Sequence, residues 1–158
     1  MKKSLLAAIF GAAALLPLAA QAEVAFTDGR ATLHAGPGRE FPRIDRLRSN
    51  VRVNLYGCID GFSWCDVSIG RERGWVDGDS LFVPYQGRRV RVMEYGSRIN
   101  VPMVRFNWGY WDNYYRGRGF YRDRDHWRRQ DFARRWSDAD GDGVPNRFDD
   151  RPRNPYRN

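Results

Sequence analysis

The chain has 158 residues, a formal charge of +8 at pH 7 and a mean hydropathy of −0.71. After residue 22, no apolar run reaches the length of about 18 residues that a membrane span requires, so we expect no transmembrane segment in that part of the chain. The excess of basic residues favours a partner that carries negative charge.

The amino-terminal segment has the composition of a secretory leader. Two lysines precede an apolar run over residues 5–18, and Ala20-Gln21-Ala22 supplies the small residues that a signal peptidase recognises. We therefore predict a signal peptide at residues 1–22 and an exported mature protein that begins at Glu23, in the periplasm or associated with the cell envelope. An uncleaved membrane anchor is the alternative, but Pro17 inside the apolar run favours cleavage.

The positive charge is concentrated in one part of the chain. Residues 85–136 contain 13 arginines against 5 acidic residues, whereas residues 23–84 contain 8 against 9 and residues 137–158 contain 4 against 5. An arginine-rich and aromatic-rich stretch suggests nucleic acid in a cytosolic protein. Because we expect export, the predicted partners are instead the phosphate or carboxylate polymers of the envelope, with no nucleic acid.

Short β patterns broken by turn residues fill the segment from Ala31 to Val83. Val51, Val53 and Leu55 alternate with polar residues, which places the three apolar side chains on one buried face of a strand. No stretch in this segment has a helical period. The pattern therefore predicts a mainly β fold, specifically a small β-barrel.

A hairpin within this segment contains both cysteines of the chain, Cys58 and Cys65. The predicted strands pair across the turn at Asp60-Gly61, which brings the two cysteines to facing positions. In an oxidising compartment this arrangement predicts a disulfide. A metal-binding pair or a catalytic thiol is the alternative, but no further Cys or His lies at ligand spacing.

Several motifs in residues 26–84 resemble the bacterial SH3 domain. They are, in order, Leu33-His34-Ala35-Gly36-Pro37-Gly38, Phe41-Pro42, Trp64, Gly74-Trp75-Val76 and Leu81. His34 departs from the arginine that is usual in the family. The resemblance implies an SH3-like β-barrel that acts as a binding module, often for peptidoglycan or its stem peptides, without catalytic residues.

Three aromatic residues of this domain are candidate ligand contacts, as surfaces on which a ligand stacks: Tyr56, Trp64 and Trp75. The alternative is that the same aromatic side chains belong to the hydrophobic core.

The extension over residues 85–136 is predicted to be less regular. Its apolar positions Val90, Val92, Ile99, Val101 and Met103 suggest two short strands. Aromatic residues and arginines then alternate up to Trp136, and a helix is predicted from Asp123 to Trp136. This segment also resembles the tail that follows SH3 domains in exported proteins of some proteobacteria. Its aromatic side chains either dock on the barrel, with the arginines in solvent, or bind a ligand.

The residues offer little chemistry for catalysis. The two histidines, His34 and His126, lie in a predicted strand and in the arginine-rich extension, where a structural or surface role is the simpler interpretation. Asp123 and Asp125 form a possible carboxylate pair for glycan cleavage, but flanking arginines would hold both of them ionised. We therefore predict a protein that is not an enzyme.

Residues 137–158 contain a short motif with the spacing of a calcium loop. Carboxylates at alternate positions, followed by a glycine that allows a sharp turn, converge on one hard cation. The predicted ligands of one calcium ion are the side chains of Asp138, Asp140, Asp142, Asn146 and Asp149 and the carbonyl group of Val144. The motif resembles a single thrombospondin type 3 repeat. A solvated acidic turn is the alternative interpretation.

Three functional hypotheses follow. The first is a cell-envelope binding module that recognises peptidoglycan or another anionic envelope polymer, with a calcium-binding loop at its carboxyl end. The second is a periplasmic structural or adaptor protein that binds a partner protein. The third is a lytic enzyme of the cell wall or its regulator. Retention on isolated sacculi separates the first hypothesis from the second, and release of muropeptides identifies the third.

Overall fold

The computed structural model describes residues 22–29, 31–141, 144–146, 148–149, 151 and 156. The predicted signal peptide therefore lies outside the described residues, except for Ala22. The strands are β1 (Glu23–Thr27), β2 (Ala31–His34), β3 (Arg43–Leu47), β4 (Arg52–Cys58), β5 (Trp64–Ile69), β6 (Glu72–Asp77), β7 (Leu81–Tyr85) and β8 (Arg88–Arg91). The α-helices are α1 (Val92–Tyr95), α2 (Trp108–Tyr115) and α3 (Arg124–Trp136).

The prediction of a mainly β fold is confirmed, but the sheet is not closed into the expected barrel. The eight strands form one antiparallel sheet in the order β3-β2-β6-β5-β4-β1-β7-β8, and β3 and β8 remain its two edges. Both edges carry exposed arginines, Arg43 and Arg46 on β3 and Arg88 and Arg89 on β8. Like charges on the two edges disfavour their pairing, and charged side chains are typical of protected sheet edges.

One face of the sheet encloses the first hydrophobic core, which contains the disulfide. Cys58 and Cys65 are opposite each other on β4 and β5 and are bonded, as predicted, across a sequence separation of 7. Both are fully buried among apolar side chains of the strands. In the loop-entropy model, closing a ring this short stabilises the fold by about 2.5 kcal/mol at most.

Of the two short strands predicted in the extension, the first is present as β8, which contains Val90, and the second is absent among the described residues. Val92 begins the short helix α1, and Met103 forms an isolated parallel bridge with Cys58. The Cys58 N–H donates to the Pro102 carbonyl over 2.9 Å, and the Val104 N–H donates to the Cys58 carbonyl over 2.8 Å. Because Pro102 has no N–H group to donate, this pairing does not extend into a ladder.

The opposite face of the sheet is covered in part by α2, a helix that the sequence reading did not predict. The Asn107 side chain caps it by accepting a hydrogen bond from the Tyr110 N–H over 3.0 Å. Trp111 and Tyr115 are four residues apart, so they share one face of the helix, and both are buried. They form a second core with Ala35, Phe41, Trp75 and Phe106.

Helix α3 confirms the helix predicted up to Trp136, and it begins directly after Asp123. Its Asp131 is buried and accepts hydrogen bonds from Arg134 over 3.1 Å and from Arg135 over 3.0 Å. Arg134 also pairs with Glu40 across 2.5 Å, which fastens the helix to the loop between β2 and β3. No helix in the described part of the chain has both the length and the apolar character needed to cross a bilayer.

We expect Trp111→Ala to lower the free energy of unfolding by about 3 to 5 kcal/mol, since it removes a fully buried aromatic ring from the second core. The control is Phe132→Ala, whose side chain is 62% exposed on α3 and whose removal should cost about 1 kcal/mol or less. Urea denaturation of both variants measures the difference. Equal effects would show that α2 does not depend on this packing.

Candidate functional site

The three aromatic side chains predicted as ligand contacts lie on one face of the sheet. Trp64 and Asp66 share a face of β5, and they pair with Asp77 and Trp75 of β6. Tyr56 lies at an irregularity of β4 and reaches the same face, where its hydroxyl group is 3.1 Å from the Ser68 hydroxyl. The sequence-predicted contacts are therefore close together, but their surroundings differ.

The helices α2 and α3 and the segments beside them, residues 106–136, form a helical layer. This helical layer covers Trp75. Its ring is 1% exposed and lies 5.8 Å from the Phe106 ring and 5.9 Å from the Tyr110 ring, measured between centroids. In this structure its ring is part of the second core, which is the alternative that the sequence left open. A ligand at the surface does not reach it.

Tyr56 is covered by an arginine. The Arg73 guanidinium lies 3.3 Å from the centre of the Tyr56 ring and forms two hydrogen bonds of 2.7 Å with the carboxylate of Asp66. The Tyr110 hydroxyl donates a third hydrogen bond to Asp66 over 2.9 Å. These four residues join β4, β5 and β6 to α2. Asp66 is only 6% exposed, and the guanidinium group of Arg73 compensates its buried negative charge.

Two tyrosines close to Arg73, Tyr110 and Tyr115, resist ionisation. Burial raises the pKa of Tyr110 far above its usual value, and the charge of Asp66 adds to the effect. Burial likewise raises the pKa of Tyr115, whose hydroxyl donates to the Arg73 carbonyl over 3.0 Å. Burial disfavours the charged form of Arg73 and lowers its pKa. The hydrogen bonds and the negative charge of Asp66 outweigh this effect, so the pKa of the guanidinium is raised overall. Tyr110 and Tyr115 therefore stay neutral and Arg73 stays charged throughout the physiological range, which suits a structural role.

Trp64 differs from Trp75 and Tyr56 because it lies beside an open groove. The groove has a volume of about 540 Å³. It is lined by Thr32, His34, Arg39, Phe41, Arg43, Arg46, Trp64, Asp77 and Ser80. Three of these residues are arginines with exposed side chains, and the helical layer does not cover them.

The charged groups of the groove are arranged asymmetrically. Arg39 is paired with Asp77 over 3.2 Å at one side, whereas Arg43 and Arg46 on β3 have no ion pair among the described residues. The Nδ1 atom of His34 lies 2.9 Å from the Phe41 carbonyl oxygen. The His34 ring packs edge-on against the Trp64 ring, with 5.5 Å between the ring centroids. The groove thus combines an aromatic wall with arginines that remain available to an anion.

The loop that leads into β3 is held in place by the helices. The Trp111 indole N–H donates to the Ala35 carbonyl over 2.6 Å, and Arg134 donates to the Pro37 carbonyl over 3.4 Å. A Cβ atom at Gly36 would lie 2.5 Å from the Phe41 ring, so the turn accepts only glycine there without rearrangement. The extension therefore determines the position of the loop that carries Arg39.

Sequence reasoning missed the arginines of the groove. Residues 23–84 are nearly neutral when their charges are summed, and this average conceals the arginines at 39, 43 and 46 within one turn and the following strand. Their spacing around a predicted Gly-Pro-Gly turn was the available signal. His34 was interpreted as structural, and its bond to the Phe41 carbonyl agrees with that interpretation.

The predicted calcium loop lies after α3, and Asp142 is outside the described residues. The Asp138 carboxylate accepts a hydrogen bond from the Gly141 N–H over 2.7 Å, and Asn146 donates to the Arg134 carbonyl over 2.9 Å. Asp149 is 7% exposed, and its Oδ2 atom has no hydrogen-bond donor among the described residues. Those residues contain no cluster of three His, Cys, Asp or Glu side chains that could hold a metal ion.

Comparisons of this chain with protein-family models, with curated proteins and with solved structures gave no match.

We expect the free energy of unfolding to fall as the pH rises above about 10, where unfolded tyrosines ionise but the buried ones do not. A folded-state pKa above the unfolded value gives stability that is present below the unfolded pKa and lost above it. Tyr110→Phe should reduce the loss between pH 9 and 11 by about 1.4 kcal/mol. Denaturant unfolding at several pH values measures this effect. Tyr95→Phe, outside the cluster, is the control, and an equal reduction in both variants would contradict the assignment.

Proposed function

We propose that the protein is a non-enzymatic binding module of the bacterial cell envelope, and that residues 26–84 are an SH3-type domain whose sheet is extended by β8. The main support for this proposal is the open groove, which is lined by Arg43, Arg46 and Trp64 among other residues. The ligand that fits best is a wall component with carboxylates, such as a stem peptide of peptidoglycan.

The chemistry of the groove supports binding rather than reaction. A guanidinium group offers two parallel N–H donors that match a carboxylate, and it stays charged at any physiological pH. An indole ring offers an apolar surface for the methyl groups or the ring carbons of a wall peptide or sugar. Among the described residues that line the groove, Asp77 is the only acidic one and it is paired with Arg39, so they offer no pair of carboxylates suited to glycan cleavage.

Binding to a partner protein remains the second hypothesis, and the third is regulation of a lytic enzyme. An exposed groove of this kind accepts an acidic peptide segment as well as a wall peptide. Direct sedimentation with purified sacculi decides between a polymer and a protein ligand, because purified sacculi carry no partner protein.

We expect the protein to co-sediment with purified sacculi at low salt, and Arg43→Gln with Arg46→Gln to weaken this binding roughly fivefold, since each exposed ion pair contributes about 0.2 to 1 kcal/mol. Binding of the unchanged protein should decline as salt screens charges beyond about 8 Å. A sedimentation assay at two ionic strengths measures both effects.

The matched control is Arg71→Gln with Arg88→Gln, which removes the same charge from exposed positions outside the groove. If both double variants lose the same affinity, the groove is not the binding site. If the unchanged protein stays in the supernatant at low salt, the ligand is not a wall polymer.

A second proposal concerns the loop after α3, which we propose holds one calcium ion. The buried Asp149 Oδ2 without a donor and the turn closed by Asp138 support this proposal, since a carboxylate oxygen removed from water requires a cation or a donor. Asp138, Asp140, Asp142 and Asp149 would hold the ion with Asn146 and the Val144 carbonyl. Bound calcium would offset the repulsion between these carboxylates and would not take part in a reaction.

We expect titration calorimetry to detect calcium binding with a dissociation constant on the order of 10⁻⁴ to 10⁻³ M, the range of extracellular calcium modules. Asp140→Ala with Asp142→Ala should abolish the heat. The control is Asp123→Ala with Asp125→Ala, which removes two carboxylates at the start of α3 and should leave the binding unchanged. Heat that survives in the first variant would mean that the motif is only an acidic turn.

A further inference from the structure

Helix α3 carries aromatic side chains on the side that faces away from the sheet. Phe132 is 62% exposed and Trp136 is 46% exposed. The two rings lie 5.8 Å apart, and Phe148 from the following loop meets Trp136 edge-on at 6.5 Å while remaining 62% exposed. Large aromatic rings that cluster at the surface usually mark an interaction site, unlike apolar residues scattered singly.

The aromatic cluster lies on the side of α3 opposite to the side that packs against the rest of the protein. Trp127 and Asp131, four residues apart, lie on the side packed against the rest of the protein. Phe132 and Trp136 are also four residues apart and lie on the outward side of the helix, together with Arg129. The cluster is therefore not a part of the second core that happens to be uncovered.

Exposed arginines lie on the amino-terminal side of the aromatic cluster. Arg128 and Arg129 are exposed one turn before Phe132, and Arg129 has no ion pair among the described residues. The one acidic side chain on this side of α3 is Asp125, whose carboxylate lies 3.5 Å from Arg128 and 3.8 Å from Arg124. The outward face of α3 thus presents positive charge on the amino-terminal side of an apolar centre.

We propose that this face of α3 docks the protein on the surface of an anionic phospholipid bilayer. Tryptophan and phenylalanine partition to the boundary between lipid headgroups and acyl chains, while arginine extends along the helix to the phosphates. A bilayer supplies phosphates beside a continuous apolar layer into which several aromatic rings can insert together, whereas a hydrated wall polymer has no such layer. Each arginine near an anionic membrane surface contributes attraction, and no spanning helix is involved.

The surface is separate from the groove, so the proposal extends beyond recognition of the wall. A protein that binds a wall component through the sheet and a bilayer through α3 would occupy the space between the two layers. The acidic loop that follows Trp136 lies next to the cluster in sequence, and its carboxylates oppose docking unless a cation neutralises them. Vesicle binding is therefore measured both in EDTA and in calcium.

The test uses protein that begins at Glu23, the predicted start of the mature chain, as verified by mass spectrometry, and vesicles of phosphatidylcholine with or without phosphatidylglycerol. We expect sedimentation with the anionic vesicles in at least one of the two buffers, and little with the neutral ones. Phe132→Ala with Trp136→Ala should reduce the bound fraction at least about tenfold, as should Arg128→Gln with Arg129→Gln. The charge-matched variant Arg71→Gln with Arg88→Gln should bind like the unchanged protein.

Brominated lipids supply a second readout that does not depend on affinity alone. Fluorescence quenching should be seen in the unchanged protein and should disappear in Trp136→Phe, which keeps an apolar ring but removes the fluorophore at the proposed contact. Urea unfolding shows whether each variant is folded.

Four results would overturn the proposal. These are absence of binding to anionic vesicles in both buffers, equal binding by the double aromatic variant, equal loss in the Arg71 and Arg88 variant, and quenching that persists in Trp136→Phe. Loss of sacculus binding in the α3 variants, with no vesicle binding, would assign this face to the wall polymer instead. The two proposals can fail separately. If the groove variants bind sacculi like the unchanged protein, the groove proposal is wrong, but the vesicle result still tests the outward face of α3.

Discussion

The packing of α2 on the sheet positions the loop between β2 and β3, the second core and the Asp66 carboxylate. Trp111 is fully buried, and its indole N–H holds the Ala35 carbonyl at the start of the loop between β2 and β3. The same helix covers Trp75 and places Tyr110 against the Asp66 carboxylate. A sheet of this size has a small core on one face, so the second core adds burial that the strands alone do not supply. The extension is thus a structural part of the domain that precedes it.

This packing divides one face of the sheet into a covered part and an open part. Trp75 and Tyr56 lie in the covered part, beneath α2 and Arg73 respectively, and contribute to stability. Trp64 lies in the open part beside Arg43 and Arg46. Because chemically similar side chains occupy both parts, their capacity to bind a ligand depends on what covers them. The groove is therefore the part of this sheet face that the helical layer does not cover. The outward side of α3 is a second exposed surface.

Much of the β structure was predictable because its signals are local. Alternation at Val53 and Leu55 and the turn at Asp60-Gly61 specify a hairpin, and the hairpin specifies the disulfide. Closure of the sheet was predicted wrongly, since pairing of the edge strands β3 and β8 depends on the path of the whole sheet, which local motifs do not specify. Helix α2 was missed because its eight residues are mostly aromatic, and their stability as a helix comes from tertiary contacts rather than propensity. The groove arginines were missed for a related reason, because only the fold brings Arg43 and Arg46 to Trp64.

We propose that the uncovered part of this sheet face binds a wall peptide while the covered part does not. A titration of the ¹⁵N-labelled protein with soluble muropeptides, followed by two-dimensional NMR, tests it directly because each tryptophan indole N–H gives its own signal. The Trp64 indole and the backbone amides of Thr32 and His34 should shift in a saturable manner, while the Trp75 and Trp111 indoles stay in place. Saturable shifts confined to Trp75 and Trp111, or no shifts at any muropeptide concentration, would contradict it.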